Sequence, residues 1–434
     1  MKAVVSNRIY LNCDRGSELD KFLVSKLVHE IDQQPISPFP LLIRNILRIS
    51  DTVVSIPSGC LDYIPKDYIL IDKRVSPEVI IPQPSFVPRE SQAAAIAQIT
   101  NNGLIEAPVS FGKTIVGLGL AHKYQTKTLI ITTTTTIRDM WVKEIKKWFG
   151  FDPGVIGGGK FNVKPAIVVG NIQTVRNRHT EISTMFGMLI IDEVHRSPSK
   201  TFTETLNSSK AKYKIGLSGT MDRKDGLHVV LPDYFGNNRF IGKVENIMEP
   251  TAHLYDTGIA LSANEFIPWA NKITELYANE TYRAQVLALV NLYADAGHTV
   301  LALCDRTELL SYLHEETSDR SLIINGAVKG EDRDNVMDAV AAREASILFA
   351  TQSIFSEGVS LNELSAVILI TPINNLPLHT QICGRILRPC EDKLDPVIVD
   401  IGLLGNTGKR HRNTRNGLYV SRGWKIKNMG LVTL

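Results

Sequence analysis

The chain has few cysteines and no pairing signature for them. Its five cysteines, Cys13, Cys60, Cys304, Cys383 and Cys390, form no CxxC pair in 434 residues. That argues against a disulfide framework and a thiolate metal site, and points to reduced thiols in a cytoplasmic protein. The opening MKAVVSNRIYLNCDRGSELD lacks an apolar core of signal-peptide length. No apolar run approaches the ~18 residues of a membrane helix, so a soluble, intracellular chain is expected. Net charge is only +3, which alone demands no polyanionic partner. Internal repeats and long low-complexity tracts are also missing. What remains, 44% hydrophobic and 21% charged, is ordinary globular composition. The length predicts two or three domains.

Short apolar runs recur with helical patterns between them. TLIIT (Thr128–Thr132), AIVV (Ala166–Val169), MLII (Met188–Ile191), KIGL (Lys214–Leu217), VLAL (Val300–Leu303), SILFA (Ser346–Ala350), VILI (Val367–Ile370) and PVIV (Pro396–Val399) read as buried parallel strands. Thr136–Phe149 and Asn271–Ala296 read as helices. Alternation of this kind predicts α/β architecture with parallel sheets covered on both faces. Too many strands are present for one small sheet, so two α/β domains are expected, 86–245 and 246–404. Residues 1–85 read as a small DNA-binding or accessory α+β domain, with Pro82, Pro84 and Pro88 marking a linker; this domain or the tail would be the element that splits or reroutes a duplex. Residues 405–434 read as a basic tail. No acidic residue follows Asp400, while Lys409, Arg410, Arg412, Arg415, Arg422, Lys425 and Lys427 do, with Tyr419 and Trp424 among them. Arg410, Arg412 and Trp424 are candidate nucleic-acid contacts through phosphate charge and base stacking; a merely solvated tail fits the composition equally.

Three stretches carry chemistry. EAPVSFGKTI (Glu106–Ile115) ends like a phosphate-binding loop, although the strict G-x-x-x-x-G-K-[ST] string fails at Ala107. Ala107, Pro108, Val109, Ser110, Phe111 and Gly112 would form the turn. Lys113 would reach the outer phosphates, and the Thr114 hydroxyl would bind Mg2+. FGMLIIDEVH (Phe186–His195) delivers two carboxylates to the end of an apolar strand, where open α/β sheets place ligands. Asp192 would hold Mg2+, and Glu193 would orient and deprotonate the attacking water. QICGRILR (Gln381–Arg388) sets Arg385 and Arg388 three apart, on one face if helical, as arginine fingers for a γ-phosphate.

Taken together, Ala107–Thr114, DEVH at Asp192–His195, LSGT at Leu217–Thr220 and QxxGRxxR at Gln381–Arg388 resemble the superfamily 2 helicases over roughly residues 85–402. That family's first motif itself begins with alanine. The resemblance implies two tandem RecA-like domains, ATP and Mg2+ as cofactors, and DNA as partner. It also implies individual roles. Arg89 and Gln92 would read the adenine, and Glu357, Gly358 and Gln381 would contact the nucleotide. His195, Ser218, Gly219 and Thr220 would couple hydrolysis to domain movement. Thr134, Thr135, Asn171, Gln173, Thr174 and Thr351 would hold the nucleic-acid backbone. Ser110 and Ser360 depart from the family pattern. GLSGTMDRKDG (Gly216–Gly226), DYFG (Asp233–Gly236) and VSIPSG (Val54–Gly59) resemble the branch near XPB and phage enzymes of the UvsW kind, which remodel forked and four-way DNA in recombination, repair and replication. A phage origin would place the chain in the host cytoplasm. An RNA helicase, a duplex translocase of a restriction or remodelling complex, and an inactive DNA-binding scaffold are the competing readings.

Overall fold

A computed structural model describes residues 1–32, 39–108, 111–196, 200–221, 225–243, 247–264, 266–317, 319–328, 330–352 and 361–433. The chain divides into two compact units, residues 1–244 and 245–434.

The first unit holds two sheets. The smaller runs in the order Leu47–Ser50, Val53–Pro57, Arg8–Asn12, Lys2–Val5, Ile69–Asp72. It is antiparallel except for its last pair. Its alternating side chains Val5, Ile9, Leu11, Val54 and Ile56 meet Leu23 and Leu27 of the helix Glu18–Leu27. Ser17 starts that helix by accepting the Asp20 N–H at 3.2 Å. Residues 73–88 do not behave as the linker that their prolines suggest. Val75 N–H donates to Lys210 O at 2.8 Å, Lys127 N–H to Pro77 O at 2.9 Å, and Ser85 N–H to Trp148 O at 2.8 Å. Proline's missing N–H leaves the alternate residues free to bond the neighbouring α/β body.

The larger sheet has eight strands in the order Lys160–Phe161, Gly154–Gly157, Ile167–Asn171, Thr128–Thr132, Met188–Asp192, Tyr213–Ser218, Gly103–Glu106, Arg239–Ile241. All pairs are parallel except the first. Runs such as Met188–Asp192 are buried throughout, as strands covered on both faces must be. Every parallel strand therefore ends on one edge, where the polar motif residues gather.

The second unit is a seven-stranded parallel sheet: Ser321–Ile324, Ile347–Thr351, Val300–Cys304, Ala366–Leu369, Val397–Leu404, Thr251–Ala260, Lys425–Leu431. The single helix expected over Asn271–Ala296 is two, Trp269–Ala278 and Glu280–Asp295. Asn279 separates them in an extended conformation, and its side chain accepts the Tyr282 N–H at 3.0 Å to start the second.

The basic C-terminal segment is folded. Asn406–Ser421 is a helix, and Lys425–Leu431 pairs along Thr251–Ala260 as the last strand of the sheet. What docks the helix is polar. The Arg415 guanidinium, 2% exposed, clasps the fully buried Asp400 through Nε at 2.7 Å and Nη2 at 2.5 Å. Tyr419 donates to the same carboxylate at 2.7 Å. Burial alone would raise the Asp400 carboxyl. The Arg415 charge and these bonds outweigh it and hold the carboxyl below its ordinary value. A carboxyl lowered on folding stabilises the fold above its unfolded pKa, and that support is lost as pH falls through the folded value. Arg415→Ala leaves a buried carboxylate alone and is expected to destabilise the second unit by ~3–5 kcal/mol. Denaturant unfolding followed on Trp424, which stacks on Tyr419 at 6.0 Å, checks this; an unshifted midpoint contradicts it.

Candidate nucleotide site and nucleic-acid face

The phosphate loop leaves the sheet after Gly103–Glu106. Ala107 is buried, and its N–H donates to Ser218 O at 2.9 Å. Pro108 is half-buried. Val109 and Ser110 lie outside the described residues. Phe111 is buried, and its carbonyl accepts Gln92 Nε2 at 2.7 Å. The other end of that amide, Gln92 Oε1, accepts the Arg89 N–H at 2.9 Å. Gln92 is thus a buried strut under the loop, using both ends of its amide on backbone, whereas Arg89 is exposed. Gly112 has φ +83°, and a Cβ there would lie 2.4 Å from Gln92 Nε2. The positive φ calls for glycine, and a Cβ would also displace the Gln92 amide. The helix Lys113–Tyr124 starts at this point, with Thr114 half-buried in its first turn. Lys113 Nζ donates to Ala107 O at 2.8 Å, across the mouth of the loop.

The carboxylates lie at the end of Met188–Asp192. Asp192 is buried; its Oδ2 accepts the Trp141 indole N–H at 2.8 Å and its Oδ1 the Glu193 N–H at 3.0 Å. Burial, with the Glu193 charge, pushes its carboxyl up to about 6, while the Trp141 bond and the Lys113 charge pull the other way. Glu193 takes φ +52°, a left-handed conformation that non-glycine residues adopt at a cost and mostly at functional sites. The turn brings its Oε2 to 3.2 Å from His195 Nδ1. His195 Nδ1 also lies 2.7 Å from Ser218 Oγ. Ser218 in turn donates to Thr220 O at 2.5 Å, so the imidazole is the donor in the His195–Ser218 bond. Glu193, His195, Ser218 and Thr220 form one chain of contacts, and a Cβ on Gly219 beside it would lie 3.8 Å from Lys113 Nζ.

In the second unit Gln381 and Arg385 sit half-buried in the helix Leu376–Ile386. That helix ends before Arg388, so the shared helical face expected for the two arginines does not exist. Pro389 biases the residue before it away from helical geometry. Arg388 instead lies in the following turn, where Nη1 donates to Asn362 Oδ1 at 3.4 Å and its carbonyl accepts Lys393 Nζ at 2.6 Å. Buried His379 of the same helix meets the Tyr419 hydroxyl at 3.0 Å, linking the arginine helix to the Asp400–Arg415 pair. Thr351 ends its strand half-buried. Glu357, Gly358 and Ser360 lie outside the described residues.

Residues 85–223 match the family model for the type III restriction enzyme res subunit, and residues 284–390 that for the helicase conserved C-terminal domain. A probable helicase, D10, of Escherichia phage T5 is 41% identical over 99% of this chain and 96% of its own length. The chain belongs to the superfamily 2 helicases, of the UvsW and XPB kind. The ATP-dependent DNA helicase uvsW of Enterobacteria phage T4 is 24% identical over 76% of this chain and 70% of its own length. A solved structure of S. cerevisiae Dbp5 bound to RNA and ADP BeF3 shares the two-domain fold at a TM-score of 0.56 and 11% identity, over 79% of this chain and 90% of that one.

A helicase of this kind uses ATP, usually with Mg2+. The donor set fits that group. It combines a hydroxyl at a helix start, a buried carboxylate already bonded by two N–H groups, and a lysine whose charge reaches that carboxylate. No helix among the described residues is long and apolar enough to cross a membrane.

The nucleic-acid candidates of the first helicase domain lie on neighbouring strand ends, with Asn171 opposite Thr132. Thr134 caps the helix Thr135–Phe149 by accepting the Ile137 N–H at 3.3 Å. Thr135 and Gln173 are exposed, and Thr174 is half-buried. Among the described residues, the buried Oδ1 of Asn171 and Nη1 of Arg138 have no hydrogen-bond partner. Sequence reading passed over the next strand end, where Gly157, Gly158 and Gly159 take φ +133°, +61° and +77°, the first two beside Arg138. Three consecutive glycines after an apolar run, VIGGGK, were the available signal. Of the C-terminal candidates, Arg410 is exposed on its helix, but Arg412 pairs with Asp256 and Trp424 packs on Tyr419.

Gly112→Ala is expected to raise the nucleotide concentration for half-maximal binding at least about fivefold, since left-handed strain alone costs ~1–3 kcal/mol. Titration with a fluorescent ATP analogue measures it, and unchanged binding contradicts the Gln92–Gly112 account.

Proposed function

We propose that this chain is an ATP-dependent DNA helicase or translocase that unwinds or branch-migrates forked and four-way DNA in recombination, repair or replication. The observation that carries this reading is the run of close approaches from Glu193 through His195 and Ser218 to Thr220, beside Asp192, whose carboxylate feels the Lys113 charge. In this reading a phosphate-binding lysine, a water-activating carboxylate and a coupling hydroxyl are gathered at one strand edge, which a passive scaffold does not need. The likeness to the phage T4 DNA helicase favours DNA.

Lys113 leaves the Ala107 carbonyl for the outer phosphates. Thr114 and Asp192 would hold Mg2+, which would supply charge neutralisation at the phosphates. Glu193, its carboxylate set by the left-handed turn, takes the proton of the attacking water. His195 reports the change at Glu193 to Ser218 and Thr220 through its Nδ1–H. Arg385 and Arg388 stabilise charge on the transferred group. Thr134, Thr135, Asn171, Gln173, Thr174 and the triple-glycine turn hold backbone phosphates, which carry position rather than sequence.

Lys113→Ala is expected to abolish ATP turnover. Arg388→Ala is expected to lower kcat by ~10³ or more, as loss of an arginine finger does, with little change in KM. Turnover measured with no nucleic acid, single-stranded DNA, a four-way junction and matched RNA tests the substrate. Greatest stimulation by the junction supports the proposal; stimulation by RNA alone replaces it with an RNA helicase, and no turnover with any of them overturns it.

A further inference from the structure

Two of the stretches that mark the sequence have no place in the ATPase chemistry: VSIPSG at Val54–Gly59 and DYFG at Asp233–Gly236. The fold packs them against each other. A Cβ on Gly59 would lie 2.5 Å from the Tyr234 carbonyl carbon, 2.6 Å from Asp233 O and 2.7 Å from Gly236 N. Backbone meets backbone there, and no side chain fits between. The Cys60 thiol donates to Asp233 O at 3.4 Å.

Buried polar groups surround this contact. Asp233, 3% exposed, accepts Asn45 Nδ2 at 2.6 Å and meets His29 Nε2 at 2.8 Å. Arg8, 7% exposed, donates to Asn207 Oδ1 and to Asn45 O, each at 2.6 Å. Lys214, 1% exposed, donates to Ser58 Oγ at 2.6 Å and to Leu206 O at 2.9 Å. Parting these surfaces would strand charged groups that water does not reach in the closed seam. The strap of residues 75–85 adds backbone bonds to the same body. Lys214 lies on the strand Tyr213–Ser218, whose far end carries the Ser218 hydroxyl bonded to His195.

We propose that this seam makes the N-terminal sheet a rigid lever of the first helicase domain, so that movement driven by the nucleotide is delivered to the nucleic acid as strand separation. Gly59, Asp233 and Lys214 are positioning residues that touch neither nucleotide nor reacting atoms. The inference rests on the helicase reading and adds the element that converts hydrolysis into work.

The test compares the full chain with Gly59→Ala and Asp233→Asn on one forked DNA, reading ATP turnover and strand separation side by side. DNA-stimulated turnover and the KM for ATP are expected to stay within about twofold of wild type, while strands separated per ATP fall about tenfold or more, as a misplaced working element would cause. Protease cleavage within residues 73–88 is expected to quicken in Gly59→Ala. If Gly59→Ala fails to fold, Asp233→Asn, which alters charge but not size, decides. An unchanged number of strands separated per ATP overturns the lever while leaving the helicase standing. A general loss of turnover in folded variants also overturns it. A wild type that separates no strands overturns both readings.

Discussion

The carboxylate of Asp192 is the group on which the rest of the candidate nucleotide site depends. It is buried at the end of a strand that is apolar over its whole length, and burial works against its charge. Two donors hold it there, the Trp141 indole and the Glu193 N–H. Trp141 belongs to the helix that Thr134 starts, so a threonine on the candidate nucleic-acid edge and the carboxylate of the candidate nucleotide site are fixed by the same helix. The Glu193 N–H points back at Asp192 from a residue in the left-handed region. That same turn aims the Glu193 side chain at His195. A strained residue persists only where its surroundings over-determine it, and here they do so through Asp192, His195 and Ser218.

The second unit meets a similar demand with different groups. Its arginine helix is held from behind by buried polar contacts, from His379 to Tyr419 to Asp400 and Arg415. Burial pushes the His379 imidazole down to about 4, against the raising influence of Asp400, so the ring is neutral at physiological pH and passes no charge to the helix. In both units a buried carboxylate with two or more donors sits behind the candidate motif residues. Such satisfied networks specify one arrangement.

Much of this was legible because the apolar strands are continuous runs, and because each motif residue follows directly on one. TLIIT and MLII name their strands to within a residue, and Asp192 and Glu193 follow from the second. Less legible was whatever polar residues do in place of apolar ones. The C-terminal helix buries Gly408, His411, Arg415 and Tyr419, spaced three to four apart as a helix face requires. No member of that face is aliphatic, so composition read it as a basic tail. The strand Lys425–Leu431 is exposed at every residue; its backbone alone carries the pairing. The break at Asn279 hid within a helical pattern because a single capping side chain makes it. The pairing of Gly59 with the DYFG stretch lies far beyond any local periodicity, and only the closeness of the two backbones shows why a glycine stands there.

In the proposed mechanism Glu193 is aimed at the attacking water and does not hold the site together. The most direct measurement is equilibrium binding of Mg2+ and a fluorescent ATP analogue to wild type and Glu193→Gln, with turnover measured on the same samples. The account predicts that the variant binds as tightly as wild type and hydrolyses at least ~100-fold more slowly, as loss of a general base requires. Loss of binding together with turnover would make Glu193 a structural residue, and retained turnover would place the base elsewhere.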